Sequence, residues 1–392
     1  MSVGDLVVLD VGAVAHGGHC VARLDELVVF VRHSLPGERV RAKITEERKG
    51  YLRADAVEIL EASPDRVEPP CFYAGPGACG GCDFQHATPA AQRRLKADVV
   101  REQLTRLGGL PDHPVEVEEL PGGPLGWRTR VQYAVAPDGR LGFHPARSSR
   151  VLPIAECLIA APAVRESGVT ERRWTGVDAV EVVAPSIGDV SILTRRGRGR
   201  PRVVAGPSTV REQAAGRTWK LPAEAFWQVH PAAADTLVEA VLDLLKPQHG
   251  ERAFDLYGGA GLFAAPLAEA VGITGSVVLV EADPAGTAGA VKALVDLPQV
   301  SVVTNRVERA LTELGEADIV VLDPPRAGAG AAVIEEIVAT GARAVAYVAC
   351  DPAALARDVR TFRSFRWELA GLRAFDAFPM THHVECVALF VP

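Results

Sequence analysis

From Arg252 onward the chain follows an alternation that few architectures can satisfy. Five short apolar runs, Arg252 to Asp255, Ser276 to Glu281, Val300 to Thr304, Ala317 to Asp323 and Ala344 to Cys350, are each followed by a segment of helical pattern. Two further runs, Trp367 to Phe375 and His383 to Val391, complete the series. Short strands that read apolar throughout are buried on both faces, and the helices between them cover those faces. The pattern predicts an α/β fold, a doubly wound sheet, for residues 226-392.

Two other segments precede it. In residues 1-62, Val-rich stretches (Leu6 to Val11, Glu26 to Val31, Glu38 to Ile44, Ala54 to Leu60) are broken by turns at Gly12, Gly17-Gly18 and Pro36-Gly37. Strands at this spacing predict a small closed β-barrel. Ser63-Pro64 and Pro69-Pro70 mark a linker. Residues 71-225 form a central α+β segment. It holds one clear helix, Thr88 to Leu107, opened by a Thr-Pro cap and stopped by Gly108-Gly109. Strand-like pieces follow at Arg128 to Ala136 and Val177 to Val183, with an arginine-rich stretch, RRGRGRPR, from Arg195 to Arg202.

The N-terminal residues MSVGDLVVLD lack a basic stretch, and no apolar run reaches the ~18 residues of a membrane span. The expectation is a cytoplasmic protein, a monomer without membrane association. Clustered cysteines then read as metal-binding or catalytic rather than disulfide-forming, and Cys71, Cys79 and Cys82 lie within twelve residues. The net charge of −7 argues against nucleic acid until it is divided along the chain. Residues 1–225 carry 30 basic and 28 acidic side chains, and residues 226–392 carry 12 and 21. The acidity belongs to the α/β segment alone.

In a doubly wound sheet, ligands bind at the carboxyl ends of the strands, so the residues there are informative. Asp255 leads into LYGGAGLFA, where Gly258, Gly259 and Gly261 permit a sharp turn and a close backbone approach. Glu281 ends the next strand, 26 residues after Asp255, and suits a pair of ribose hydroxyls. Asp323 is followed by Pro324-Pro325-Arg326, and Cys350 by Asp351-Pro352. Prolines after both strands fix how these side chains are presented. The competing reading of Cys350 is a small buried hydrophobe. Glu385 and Cys386 alternate, so only one of them can face a given site. A carboxylate in an apolar strand is costly unless paired, used, or left at the rim.

These residues fall into motifs by which the whole chain resembles the RNA uracil-5-methyltransferases acting on tRNA and bacterial 23S rRNA. The motifs are CFYAGPGACGGC with a distant Cys157, FWQVHP, DLYGGAGLF, and the ordered set VLDPPRAG, YVACDPAALARD and FPMTHHVE. The resemblance implies a TRAM-like RNA-binding barrel, an iron–sulfur segment and a Rossmann-like class I S-adenosylmethionine (SAM) domain. By it, Gln228, Tyr257, Gly259, Gly261, Leu262, Glu281, Asn305 and Asp323 hold SAM or lie beside it. Cys350 is the nucleophile and Glu385 the base. Cys71, Cys79, Cys82 and Cys157 are ligands of a [4Fe–4S] cluster; by donor type alone, tetrahedral zinc also fits four thiolates. The sequence departs from the family in having Ala349 and Ala354 where Ser and Thr are frequent, and seven residues between the first two cysteines where five are usual.

The implied function is methyl transfer from SAM to carbon 5 of a uridine in rRNA or tRNA, through a covalent Cys adduct. Arg128, Arg130, Arg147, Arg150 and the RRGRGRPR stretch read either as phosphate contacts or as a solvated hairpin tip, with His16, His19 and Tyr51 as weaker stacking candidates. Two alternatives stand beside it: an RNA 5-methylcytosine methyltransferase, and a non-catalytic iron–sulfur RNA-binding protein that keeps the methyltransferase fold.

Overall fold

A computed structural model describes residues 2–392. Strands Leu6–Ala15, His19–Leu24, Leu27–Arg32, Arg39–Arg48 and Tyr51–Glu61 close into a barrel. Alternation turns Val7, Leu9 and Val11 inward and leaves Leu6, Val8 and Asp10 outside. The sequence names four of these strands. The fifth, His19–Leu24, mixes His, Cys and Arg, and only Cys20 and Ala22 carry its inward signal.

The expected helix is present as Pro89–Gln103. The Thr88 hydroxyl accepts from the Ala91 amide at 3.3 Å, and Pro89 occupies a first-turn position whose amide has no helical partner. A single π-type turn, Leu104–Gly108, ends on Gly109 with φ +67°. The helix is a party wall between two cores. Ala91, Leu95 and Val99 pack into the barrel, while Ala97, Val100 and Leu104 pack into the core beneath the C-terminal sheet. Lys96, 1% exposed, points into this seam, where Nζ donates to Asp376 Oδ1 at 2.5 Å and to the Phe378 carbonyl at 3.0 Å.

The C-terminal sheet has eight strands in the order Val300–Thr304, Ser276–Glu281, Arg252–Leu256, Ile319–Leu322, Ala344–Ala349, Glu385–Val391, Glu368–Asp376 and Val117–Glu119. The first five are parallel, and Glu385–Val391 runs antiparallel between its two neighbours. Two apolar cores cover its faces, as the continuous apolar strands require. The edge strand Val117–Glu119 comes from the segment that the sequence reading assigns to the centre of the chain.

The central six-stranded sheet is built on Arg130–Val135 and Ala179–Val183, and a hairpin, Thr209–Ala214 with Arg217–Pro222, reaches from it into the C-terminal core. RRGRGRPR forms the exposed turn between Ser191–Arg195 and Arg202–Ala205. Arg130 is not the phosphate contact expected of it. It is 7% exposed, and its two terminal guanidinium nitrogens donate to Glu212 Oε1 at 3.1 Å and to the Ala223 carbonyl at 3.2 Å. Among the described residues no helix is long and apolar enough to cross a membrane.

Breaking a buried ion pair on one side strands a desolvated charge and costs about 3–5 kcal/mol. Asp376→Ala should therefore lower the denaturant midpoint sharply. Lys96→Met combined with Asp376→Leu, which removes both charges, should recover most of the loss. Equal midpoints for the single variant and wild type would show that the pair does not tie the seam.

Candidate active site

Strand Arg252–Leu256 delivers the chain into the glycine loop, where Tyr257, Gly259 and Gly261 all take positive φ (60°, 52° and 88°). At Gly258 a Cβ would stand 2.6 Å from Leu279 Cγ, so no side chain fits, whereas at Gly259 the corresponding space is open. Glu281 ties the loop to the next strand: Oε2 accepts from the Gly259 amide at 3.0 Å and Oε1 from the Asp283 amide at 2.7 Å. Beneath the loop Asp255 is fully buried with no hydrogen-bond partner for either carboxyl oxygen. Burial pushes its carboxyl up to about 8, so it is neutral at physiological pH.

The opposite wall follows from register. Ala349 pairs with Cys386 across the antiparallel strands, so Cys350 and Glu385, the next residues outward, come together at the mouth of the sheet. Alternation turns Cys386 into the core and Glu385 into the cleft. Glu385 is 4% exposed, which excludes the rim reading. Burial, then Asp323, raises its carboxyl well above the usual range, with Arg326 opposing. Burial alone pushes Asp323 up to about 7. Cys350 is pushed up to about 11 by burial, then by Glu385 and Asp323, and again Arg326 opposes.

Both walls face one cleft of about 840 Å³. Its lining includes Gln228, Tyr257, Gly259, Glu281, Asp323, Cys350 and Glu385. Three expected residues stand off it. Gly261 shapes the loop from behind, 2.8 Å from Leu294 Cδ1 if it bore a Cβ. Leu262 packs against the core. Asn305 follows the edge strand, its amide bonded to the Glu281 carbonyl at 3.1 Å.

The cleft also contains Trp127, Phe226, Arg326, Phe378, Thr381 and His383, to which the sequence reading assigned no role in the site. Arg326 was visible as the residue after the two prolines. Phe226, 77% exposed beside Gln228, was visible as an unburied aromatic only once the fold was known. The loop carrying Arg326 is anchored by Asp358, which accepts from the Ala329 amide at 2.8 Å and the Tyr347 hydroxyl at 2.7 Å.

Cys71, Cys79, Cys82 and Cys157 line one pocket, which shares Gly81 and Arg128 with the cleft. All are free thiols. Burial raises Cys79 and Cys157 and pushes Cys82 up to about 12. Among the described residues no group of three or more His, Cys, Asp or Glu side chains is disposed to hold a single metal ion. The cysteine segment also grips the loop that precedes Glu385. The Asp83 and Phe84 amides donate to the Met380 carbonyl at 2.9 and 3.0 Å.

A second cleft, about 790 Å³, lies between the barrel and residues 145–150. Here His19, Phe30 and Tyr51 stack edge to face, at 4.8 and 5.4 Å, with the Arg53 guanidinium over the last two rings. Arg32, Arg48, Arg147 and Arg150 add positive charge, partly met by Glu46, which pairs with Arg48, Arg53 and Arg147. Bases stack on such rings while arginines meet phosphates. Of the three stacking candidates, His19 and Tyr51 line this cleft and His16 lies elsewhere.

Residues 2–57 match the TRAM domain model, and residues 304–391 match the model described as tRNA (Uracil-5-)-methyltransferase. A Streptomyces avermitilis protein named as an uncharacterized RNA methyltransferase is 50% identical over 100% of this chain and 99% of its own length. A Corynebacterium glutamicum protein of the same description is 35% identical over 100% of this chain and 98% of its own. The crystal structure of the Pyrococcus abyssi tRNA (uracil-54, C5)-methyltransferase with S-adenosyl-L-homocysteine superposes with a TM-score of 0.74 at 22% identity, covering 98% of this chain and 100% of that one. The barrel and the C-terminal sheet are thus the fold of that enzyme.

A thiol held near 11 is protonated at neutral pH, and only the thiolate alkylates. Alkylation of Cys350 by iodoacetamide, followed by peptide mass analysis, should climb with pH toward that value. Arg326→Ala removes the opposing positive charge and should slow the reaction at each lower pH by roughly two- to fivefold. An unchanged rate would show that Arg326 does not act on the thiol.

Proposed function

The chain belongs to the uracil-5-methyltransferase family of RNA methyltransferases, and from that premise we propose that it methylates carbon 5 of a uridine in structured RNA, rRNA or tRNA. It does so as a cytoplasmic monomer, with SAM as donor. The observation that carries this reading is the meeting of Cys350 and Glu385 on paired strands, in the cleft that the glycine loop opens onto. SAM, when bound, supplies an electrophilic methyl group. Glu281, Gln228, Tyr257 and the open backbone at Gly259 would hold it.

Carbon 5 of uracil is a weak nucleophile. Once the Cys350 thiol has lost its proton to solvent, addition of its thiolate to carbon 6 moves the ring electrons into an enolate, whose carbon 5 takes the methyl group. Glu385 then removes the carbon-5 proton, the ring double bond re-forms, and the thiolate leaves. A buried carboxylate is a stronger base than an exposed one, which suits this step. Asp323, titrating near 7, presents either an acceptor or a donor to the pyrimidine edge. The target base must leave its stack to enter the cleft, and Trp127, Phe226 and Phe378 offer apolar and aromatic surface to receive it.

Cys71, Cys79, Cys82 and Cys157 would hold a [4Fe–4S] cluster. Four thiolates around one pocket fit its donor set, and a cubane spreads its ligands farther apart than a single zinc ion does. Four protein thiolates leave no iron free for radical chemistry. Bound there, it would stiffen the Cys82–Phe84 segment, whose Asp83 and Phe84 amides hold the Met380 carbonyl.

Cys350→Ala should abolish methylation of RNA, by more than about 10³-fold, with SAM still bound. Glu385→Gln should stall after methyl transfer and accumulate a protein–RNA adduct, as should wild type with 5-fluorouridine RNA. Nucleoside analysis should give 5-methyluridine. 5-Methylcytidine would replace the reading with its cytosine counterpart, and no product with a non-catalytic RNA-binding role. Anaerobically purified protein should contain iron and acid-labile sulfide with a broad visible absorption band. Zinc alone would overturn the cluster.

A further inference from the structure

The turn joining the first two barrel strands, residues 16–18, reaches the loops that flank the cleft at two points. His16 Nε2 lies 3.2 Å from Asp351 Oδ2, and Asp351 directly follows Cys350. Two residues on, Gly18 has φ +76°, and a Cβ there would lie 2.8 Å from His382 Cβ and 2.9 Å from Asp83 Cβ. His382 is clamped by Asp83, which accepts from its backbone amide at 3.1 Å and bonds its Nδ1 at 2.6 Å. Arg32, also on the barrel, donates to the same Asp83 at 3.3 Å. One barrel turn therefore touches the loop after the nucleophile and the loop before the base.

Asp351 divides its carboxylate between two tasks. Oδ1 accepts from the Ala354 amide at 2.8 Å and caps helix Pro352–Ser364, which leaves Oδ2 for His16. The side chains of the pair are 39% and 24% exposed, so it contributes little to stability. Its effect is to fix the orientation of a loop one peptide from Cys350. The hydrogen bond to Asp351 also raises His16 above its ordinary value, which keeps the donor in place.

We infer that this turn couples the barrel to the chemistry: His16 is a positioning residue that holds Cys350 in register through Asp351, so a strand of RNA seated on the barrel is registered at the nucleophile. The inference rests on Cys350 being that nucleophile. In the full-length protein, His16→Ala should lower kcat for RNA methylation about tenfold while leaving KM for RNA unchanged. His16→Gln, whose amide can donate the same hydrogen bond, should restore most of kcat. Without RNA, iodoacetamide alkylation of Cys350 should change about threefold or more in His16→Ala and little in His16→Gln. A raised KM with unchanged kcat would make His16 an RNA contact and overturn the inference. So would equal kcat losses in both variants, or an unaltered Cys350 alkylation rate. Turnover surviving in Cys350→Ala would instead locate the failure in the assignment of the nucleophile.

Discussion

Lys96 stands 1% exposed on the helix between two cores, with its ammonium held by Asp376 and the Phe378 carbonyl. An ammonium taken from water without a partner is expensive, so helix, strand end and loop must assemble together or not at all. Asp376 ends the strand beside Glu385–Val391, and Phe378 begins the turn that carries His383 and Glu385 into the cleft. Gln92, one helical turn before Lys96, receives the Met380 amide at 2.8 Å. The placement of Glu385 is thus tied to a helix far away in sequence. That helix's other face belongs to the barrel, so the placement of the barrel and of Glu385 is one problem.

The reach of the sequence follows from what each residue pattern encodes. The C-terminal strands fall within two residues of their expected bounds, because strands buried on both faces read as unbroken apolar runs. Cys350 and Glu385 were legible for the same reason: strand ends fix where ligands bind, and alternation decides which side chain faces them. Val117–Glu119 was not legible. It has three residues, two of them acidic, and only its neighbour Glu368–Asp376 makes it a strand. The helix Pro89–Gln103 was found with its cap, but not its partners, since an apolar face does not name what covers it. Arg130 looked like a surface cation because its acceptors, Glu212 and the Ala223 carbonyl, come from residues about 80 to 95 positions away.

The cleft concentrates acids in the half of the chain that already carries 21 acidic against 12 basic residues, yet its substrate is proposed to be a polyanion. Burial resolves the conflict. Burial raises the carboxyls of Asp255, Asp323 and Glu385 and the thiol of Cys350, so each gives up its proton less readily than it would in water. The cleft therefore presents less negative charge than its composition implies, while the arginines of the second cleft sit on the barrel and the loop at residues 145–150. A protonated thiol is also slow to oxidise, which shelters Cys350.

Strand Glu385–Val391 lies between Ala344–Ala349 and Glu368–Asp376, both of which leave the ribosome before it. It must insert into the middle of a sheet rather than add to an edge, and the seam that locks it joins residues 288 apart, Gln92 and Met380. Long-range contacts of this kind carry a large chain-entropy cost and slow folding. Glu385 is also the last residue of the cleft in chain order, so the cleft cannot be complete until the final strand is in place.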